Sequence, residues 1–194
     1  MNEQLAAELF ALRERDLTMR AELASDGSLF DGYHPRMEAV HRGNAARLRE
    51  IIAEHGWPGT PLVGMRGAEA AFLIAQHAIS EPPFMRRCRE LLSAAVAAGA
   101  APAWQLAYLD DRINVSEGRP QRYGTQLQPG PSGRAEPCPL AEPENVEQLR
   151  RDVGLPPLAE TLARTQPIPQ RPGDPAANAA AELAWRRKVG WLRD

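Results

Sequence analysis

Apolar residues near the start of the chain recur at Leu5, Leu9, Leu12, Met19 and Leu23, the three-then-four spacing of one face of an amphipathic helix, with Asn2 placed to cap it. Continuing that stripe puts Asp16 on the buried side. Gly27 and Gly32 punctuate a loop, and Pro35 suits the first turn of a second helix whose stripe is Met37, Val40, Leu48, Ile51 and Ile52. Here the polar intruders are His41 and Asn44. His55 and Gly56 read as its end, followed by a rigid connector at 57–61. From Gly67 onward the chain is apolar nearly all round the helical wheel, which predicts a central helix covered by others, with Gln76 and His77 inside it.

Pro82-Pro83 restarts the chain into a helix carrying Phe84, Cys88, Leu91, Leu92 and Val96, closed at Gly99. Another begins near Pro102, carries Trp104, Leu106 and Leu109, and is expected to end at Asp110-Asp111-Arg112. Ile113-Asn114-Val115 and Tyr123-Gly124-Thr125-Gln126 then flank a Ser116-Glu117-Gly118 turn, which predicts a small β-hairpin around Gly118. Eleven of the 18 prolines lie at or beyond Pro129, so the last third is expected to be short helices on proline-rich connectors. Residues 128–140 read as an exposed loop, 144–153 and 158–164 as short helices, and 167–175 as a semi-rigid linker to an Ala-rich helix ending in Trp185, Trp191 and Leu192. The fold class that follows is mainly α. A helical core domain is expected over 1–166, with a linker and a less firmly attached C-terminal helix over 167–194.

At 43% hydrophobic and 25% charged residues, the composition is that of an ordinary globular protein and excludes wholesale disorder or a coiled-coil rod. Lys+Arg of 23 against Asp+Glu of 25 gives a net charge of -2, so no global field draws the chain to nucleic acid or to an anionic membrane. No apolar stretch approaches the ~20 residues that a membrane span requires. Cys88 and Cys138 lack any close cysteine partner, and the N-terminus is polar where a secretory signal would be charged and then apolar. A soluble cytoplasmic protein, free to form homo-oligomers, is the expectation.

The chemistry-bearing candidates are the polar residues that interrupt apolar stripes, because a buried charge requires a partner. Asp16 has Arg13 and Arg20 at helical spacing, which reads either as an intrahelical ion pair or as a pocket floor where Arg20 holds a carboxylate or carbonyl. His77 reads either as a satisfied core histidine or as a general base or acid, since an unperturbed imidazole titrates near pH 6.5. His41 and Asn44 are the candidates to meet Gln76 or His77 from a facing helix. Asp111 could orient His77 or bind substrate, and Gln121, Arg122, Tyr123, Thr125 and Gln126 form a run of hydrogen-bonding groups around Gly124 that suits a pocket wall or a self-satisfied edge. The four histidines show no metal-ligand spacing, and there is no Gly-rich phosphate loop or nucleophile elbow, so neither a metal nor a cofactor is expected.

Taken in order, Arg15-Asp16 with Arg20, Asn44, Gly56-Trp57-Pro58, Val63-Gly64, Gln76-His77-Ala78, Asp111-Arg112, Gln121, Tyr123-Gly124-Thr125-Gln126, and Arg151 with Val153-Gly154-Leu155 resemble an uncharacterised bacterial family known only as a domain of unknown function. The resemblance runs from about Glu14 to Leu158 and departs from the family pattern at Leu17, where glutamine is usual. It implies that Asp16, Arg20, Asn44, Gln76, His77, Asp111, Arg112, Gln121, Tyr123, Thr125 and Gln126 are family motif residues, a set that resembles a pocket more than packing.

The leading expectation is a cofactor-independent enzyme acting on a small molecule or a peptide side chain. His77 and Asp111 are its candidate catalytic residues. Asp16, Arg20, Asn44, Gln76, Arg112, Gln121, Tyr123, Thr125 and Gln126 are its candidate binding residues. The alternatives are a helical interaction module, with Trp185 and Trp191 as exposed aromatic anchors, or a ligand-binding protein without catalysis.

Overall fold

Asn2 caps the first helix as its pattern predicts: its side chain accepts from the Leu5 amide at 3.0 Å, and α1 runs Glu3–Ser25. In this computed structural model, residues 1–130 and 133–192 are described; Pro131 and Ser132, in the segment expected to be an exposed loop, lie outside the described residues. The chain forms two units, Met1–Ala101 and Pro102–Asp194.

The first unit holds α1, α2 (Pro35–His55), α3 (Thr60–His77) and α4 (Pro82–Ala97). α3 packs chiefly along α1 and also against α2 and α4. Its buried positions include Ala68, Ala70, Ala71, Phe72, Ile74, Ala75 and Gln76, so it is covered on most sides, as its uniform apolar character implies. Small side chains allow the close approach: a Cβ at Gly67 would sit 3.4 Å from the Ala6 methyl of α1 and would crowd Val63. Gly64, at φ 71°, breaks the regular backbone of α3, a left-handed conformation that a residue with a Cβ rarely takes. The amide of Asn2 donates to Leu62 O at 2.7 Å and ties the start of α1 to the first turn of α3. From α1, Leu9 and Leu12, and from α2, Ala45, Leu48 and Ile51, complete the core.

The second unit comprises α5 (Ala103–Ser116), a short antiparallel hairpin of β1 (Leu127–Pro129) and β2 (Ala135–Pro137), then α6 (Val146–Asp152), α7 (Leu158–Arg164) and α8 (Pro175–Val189). The mainly α class with one small hairpin is what the pattern predicts, but the hairpin is displaced. Ile113, Asn114 and Val115, read as a strand, continue α5 beyond Asp110-Asp111-Arg112 to Ser116. The cause is a helix buried on two opposite sides. Gln105, Leu109 and Ile113 form one buried row at four-residue spacing, and Ala107 and Asp111 form another; together they mimic the alternation of a strand. Tyr123-Gly124-Thr125-Gln126, read as the second strand, is irregular, and the pairing falls instead at Leu127 with Pro137 and Pro129 with Ala135, all but Leu127 inside the 128–140 segment read as loop. Prolines at 129 and 137 keep these strands to three residues each.

Three buried polar side chains hold the loop between α5 and β1. Asp111, with 0% exposure, accepts from the amides of Arg122, Tyr123 and Thr125 at 2.7–3.2 Å and from the Thr125 hydroxyl at 2.9 Å. Gln121, equally buried, donates to Gln126 O and Cys138 O and accepts from Gln126 N at 2.8 Å, so its amide stands in for a missing strand. Arg150 reaches from α6 to Tyr123 O at 2.6 Å, Pro156 O at 2.7 Å and Thr161 Oγ1 at 2.7 Å. α8 is joined back to α5 by Arg186, which donates to Val115 O at 3.1 Å, and Trp191, just beyond its Gly190 cap, is 3% exposed. That burial corrects the expectation of Trp191 as an exposed anchor. Among the described residues, no helix is long and apolar enough to cross a membrane.

Both cysteines are free and buried, and burial pushes the Cys88 thiol up to about 12 and the Cys138 thiol up from its ordinary value. Cys88 is not expected to react with an aromatic disulfide reagent at pH 8 until the chain unfolds; labelling of Cys88 in the native protein would contradict this packing. Asp111→Ala strands several buried donors at about 1–3 kcal/mol each. It should therefore lower unfolding stability by roughly 3 kcal/mol or more in a denaturant titration, and a loss under about 1 kcal/mol would show that the loop does not hang on this carboxylate.

Candidate functional site

Asp16 occupies the buried stripe of α1 between Leu12 and Leu23, and at 1% exposure it is enclosed by the same packing that buries those leucines. The helical period turns it toward α2 and α3, where two histidines meet it. His77, the last residue of α3, places Nδ1 2.7 Å from Asp16 Oδ2. His41, in the buried stripe of α2, places Nε2 3.1 Å from that oxygen, but its N–H is not aligned on it. The two imidazole centroids lie 4.9 Å apart. Behind them the Tyr33 hydroxyl meets His41 Nδ1 at 2.8 Å, and the two rings stack at 5.7 Å.

Burial by itself would raise the Asp16 pKa, yet the hydrogen bonds and charges of His41 and His77 outweigh it and hold the carboxyl well below the usual range. Asp16 is therefore ionised at neutral pH and can only accept, so His77 Nδ1 must carry the proton between them. The lone pair of a neutral His77 then lies on Nε2, on the far edge of a side chain that is 20% exposed. Burial pushes the Tyr33 phenol above its ordinary range and keeps it protonated.

In this unit several buried polar atoms have no aligned protein hydrogen-bond partner: Asp16 Oδ1, Asn44 Oδ1 and both amide atoms of Gln76, with His41 Nε2 near Asp16 but misaligned. Asn44 spends its Nδ2 on Leu12 O at 2.9 Å, one turn before Asp16 on α1. Such stranded groups are uncommon in protein interiors and concentrate where water, an ion or a ligand belongs.

The expected site residues thus fall into two clusters, one in each unit. Asp16, Asn44, Gln76 and His77 lie in the first. Asp111, Gln121, Tyr123, Thr125 and Gln126 lie in the second, where the Asp111 oxygens and the Gln121 amide are engaged by the backbone of the loop. The carboxylate against His77 is Asp16; the sequence reading offered Asp111 either to orient His77 or to bind substrate. The intrahelical pair also does not form: Arg13 bonds Glu14 and Arg20 is exposed. Arg112 is part-buried on α5. In the second unit a cleft of about 550 Å³ is lined by Gln126 with Arg119, Cys138, Glu182 and Arg186.

Sequence reasoning left three contributors off the site. His41 was visible as a polar intruder in the α2 stripe. Tyr33 sits in an irregular loop with no periodic signal. Arg150 is the buried arginine of α6, while Arg151, the motif residue, is exposed.

The chain is 29% identical over 191 residues to a homoserine kinase from Azorhizobium caulinodans, a similarity that covers 92% of this chain and 56% of that protein. It therefore spans about half the length of that relative. No solved structure matches. A match over residues 3–166, which takes in both clusters, shows that the chain belongs to the Family of unknown function (DUF6624).

Proposed function

We propose that the protein is a cofactor-independent enzyme that acts on a small molecule or a peptide side chain by proton transfer at His77, with Asp16 as the carboxylate that orients it. The observation that carries this reading is the 2.7 Å contact between His77 Nδ1 and Asp16 Oδ2. A carboxylate on Nδ1 fixes the tautomer, stabilises the imidazolium that forms on protonation, and leaves Nε2 to exchange the proton with substrate. Gln76, next to His77 on α3, is kept as a candidate binding residue, its buried amide having no aligned protein partner. Arg20, exposed one turn on from Asp16, is the candidate to hold a substrate carboxylate. The residues around Asp111 act by positioning their loop.

The name of the homoserine kinase nominates small hydroxylated amino acids as the first substrate class to test. The chain has no Gly-rich phosphate loop, so phosphoryl transfer is the less favoured reaction on that class.

The test is a turnover and thermal-shift panel of amino acids, small carboxylates, short peptides, and homoserine with and without ATP. On a substrate so found, His77→Ala is expected to lower kcat/KM by about 10²-fold or more, with the circular dichroism spectrum retained. Full activity in that variant would sink the assignment. A panel with no ligand and no turnover, together with a His77→Ala protein that is merely less stable, would favour the interaction module.

A further inference from the structure

The three side chains that meet at Asp16 also form a donor set for a metal ion. One ligand atom from each of Asp16, His41 and His77 can be chosen so that all three lie within 4.8 Å of one another. Donors bound to one ion at ~2.0–2.1 Å stand about 3.3 Å apart at tetrahedral angles, so small side-chain rotations would bring these atoms into range. The 3.1 Å separation of His41 Nε2 from Asp16 Oδ2 is already there.

Two further observations point the same way. Asp16 Oδ1 and His41 Nε2 belong to side chains 1% and 9% exposed, and each lacks an aligned hydrogen-bond partner. These are the costs that a bound cation removes, since it takes a lone pair from each. In addition, the Tyr33 hydroxyl sits 2.8 Å from His41 Nδ1, the ring atom opposite the one facing Asp16. A histidine that ligates through Nε2 must hold its proton on Nδ1, and an oxygen placed there fixes that tautomer and the ring's orientation.

We infer that Asp16, His41 and His77 bind one divalent first-row transition ion of the zinc class, with Tyr33 as the positioning residue behind His41. Two imidazoles and one carboxylate suit zinc, iron or cobalt over magnesium or calcium, which prefer all-oxygen shells. Three protein donors leave a coordination position for water or substrate. Ligation through Nδ1 requires the neutral His77 ring to take the other tautomer, its proton moved from Nδ1 to Nε2 by exchange with solvent, so the ion and the hydrogen-bonded form compete for the same atom. If the acid–base reading above holds, loading suppresses turnover; that coupling rests on the reading, whereas the binding does not.

The experiment is titration of the full, chelator-treated chain with Zn²⁺ by calorimetry and with Co²⁺ by visible absorbance. One ion per chain is expected, with a dissociation constant of about 1 μM or tighter. His41→Gln and His77→Gln should each weaken it at least about 100-fold, Tyr33→Phe about 10-fold, and His55→Gln, which alters an exposed histidine, should leave it unchanged. Zinc should also shift the His41 and His77 ring resonances of the wild-type protein at one equivalent, a readout that needs no variant to fold. No saturable binding up to millimolar Zn²⁺, binding that survives both glutamine variants, or ring shifts confined to His34 and His55 would each overturn the proposal and leave the proton-transfer reading standing.

Discussion

A carboxylate taken to 1% exposure loses several kcal/mol of hydration, and Asp16 is ionised there only because donors from two other helices meet it. That requirement organises the first unit. α1 must present Asp16 on the same face as Leu9 and Leu12, α2 must bring His41 one turn from Asn44 and two from Leu48, and α3 must end at His77 against both. α1 and α3 pack along one another, with Gly67 facing Ala6, and farther along the same pair the His77 imidazole reaches the Asp16 carboxylate at 2.7 Å.

The second unit meets a buried carboxylate differently. Asp111 takes its donors from the loop amides of Arg122, Tyr123 and Thr125 and from the Thr125 hydroxyl, so it holds a backbone conformation. Gln121 and Arg150 act on the same loop, through amide and guanidinium donors to main-chain carbonyls. Two aspartates that look alike in sequence therefore do different work, and the identity of the donors decides which: imidazoles that can move a proton at one, peptide groups that cannot at the other.

Much of this was legible in the sequence. The cap at Asn2, the α1 and α2 stripes, the apolar α3 and the intrusion of Asp16, His41, Asn44, Gln76 and His77 all follow from helical periodicity, which reports which face of a helix is buried. Periodicity does not report what the buried face meets. Hence Arg13 and Arg20, neighbours along α1, were natural partners for Asp16, while the actual ones, His41 and His77, come from two other helices. It failed outright at Ile113, because α5 is buried on two opposite sides and its alternation imitates a strand. The spacing of the histidines along the chain gave no sign of their meeting, for His41 and His77 are brought together by tertiary packing and not by a shared turn of helix.

The chemistry proposed for His77 depends on which of its nitrogens holds the proton, and long-range ¹H–¹⁵N correlation of the labelled histidine rings reads this directly. A protonated, strongly hydrogen-bonded Nδ1 and an unprotonated Nε2 at neutral pH, with that pattern lost in Asp16→Asn, is the predicted result. A proton on Nε2 in the wild-type protein, or a spectrum indifferent to Asp16, would contradict the claim that Asp16 sets the state of His77.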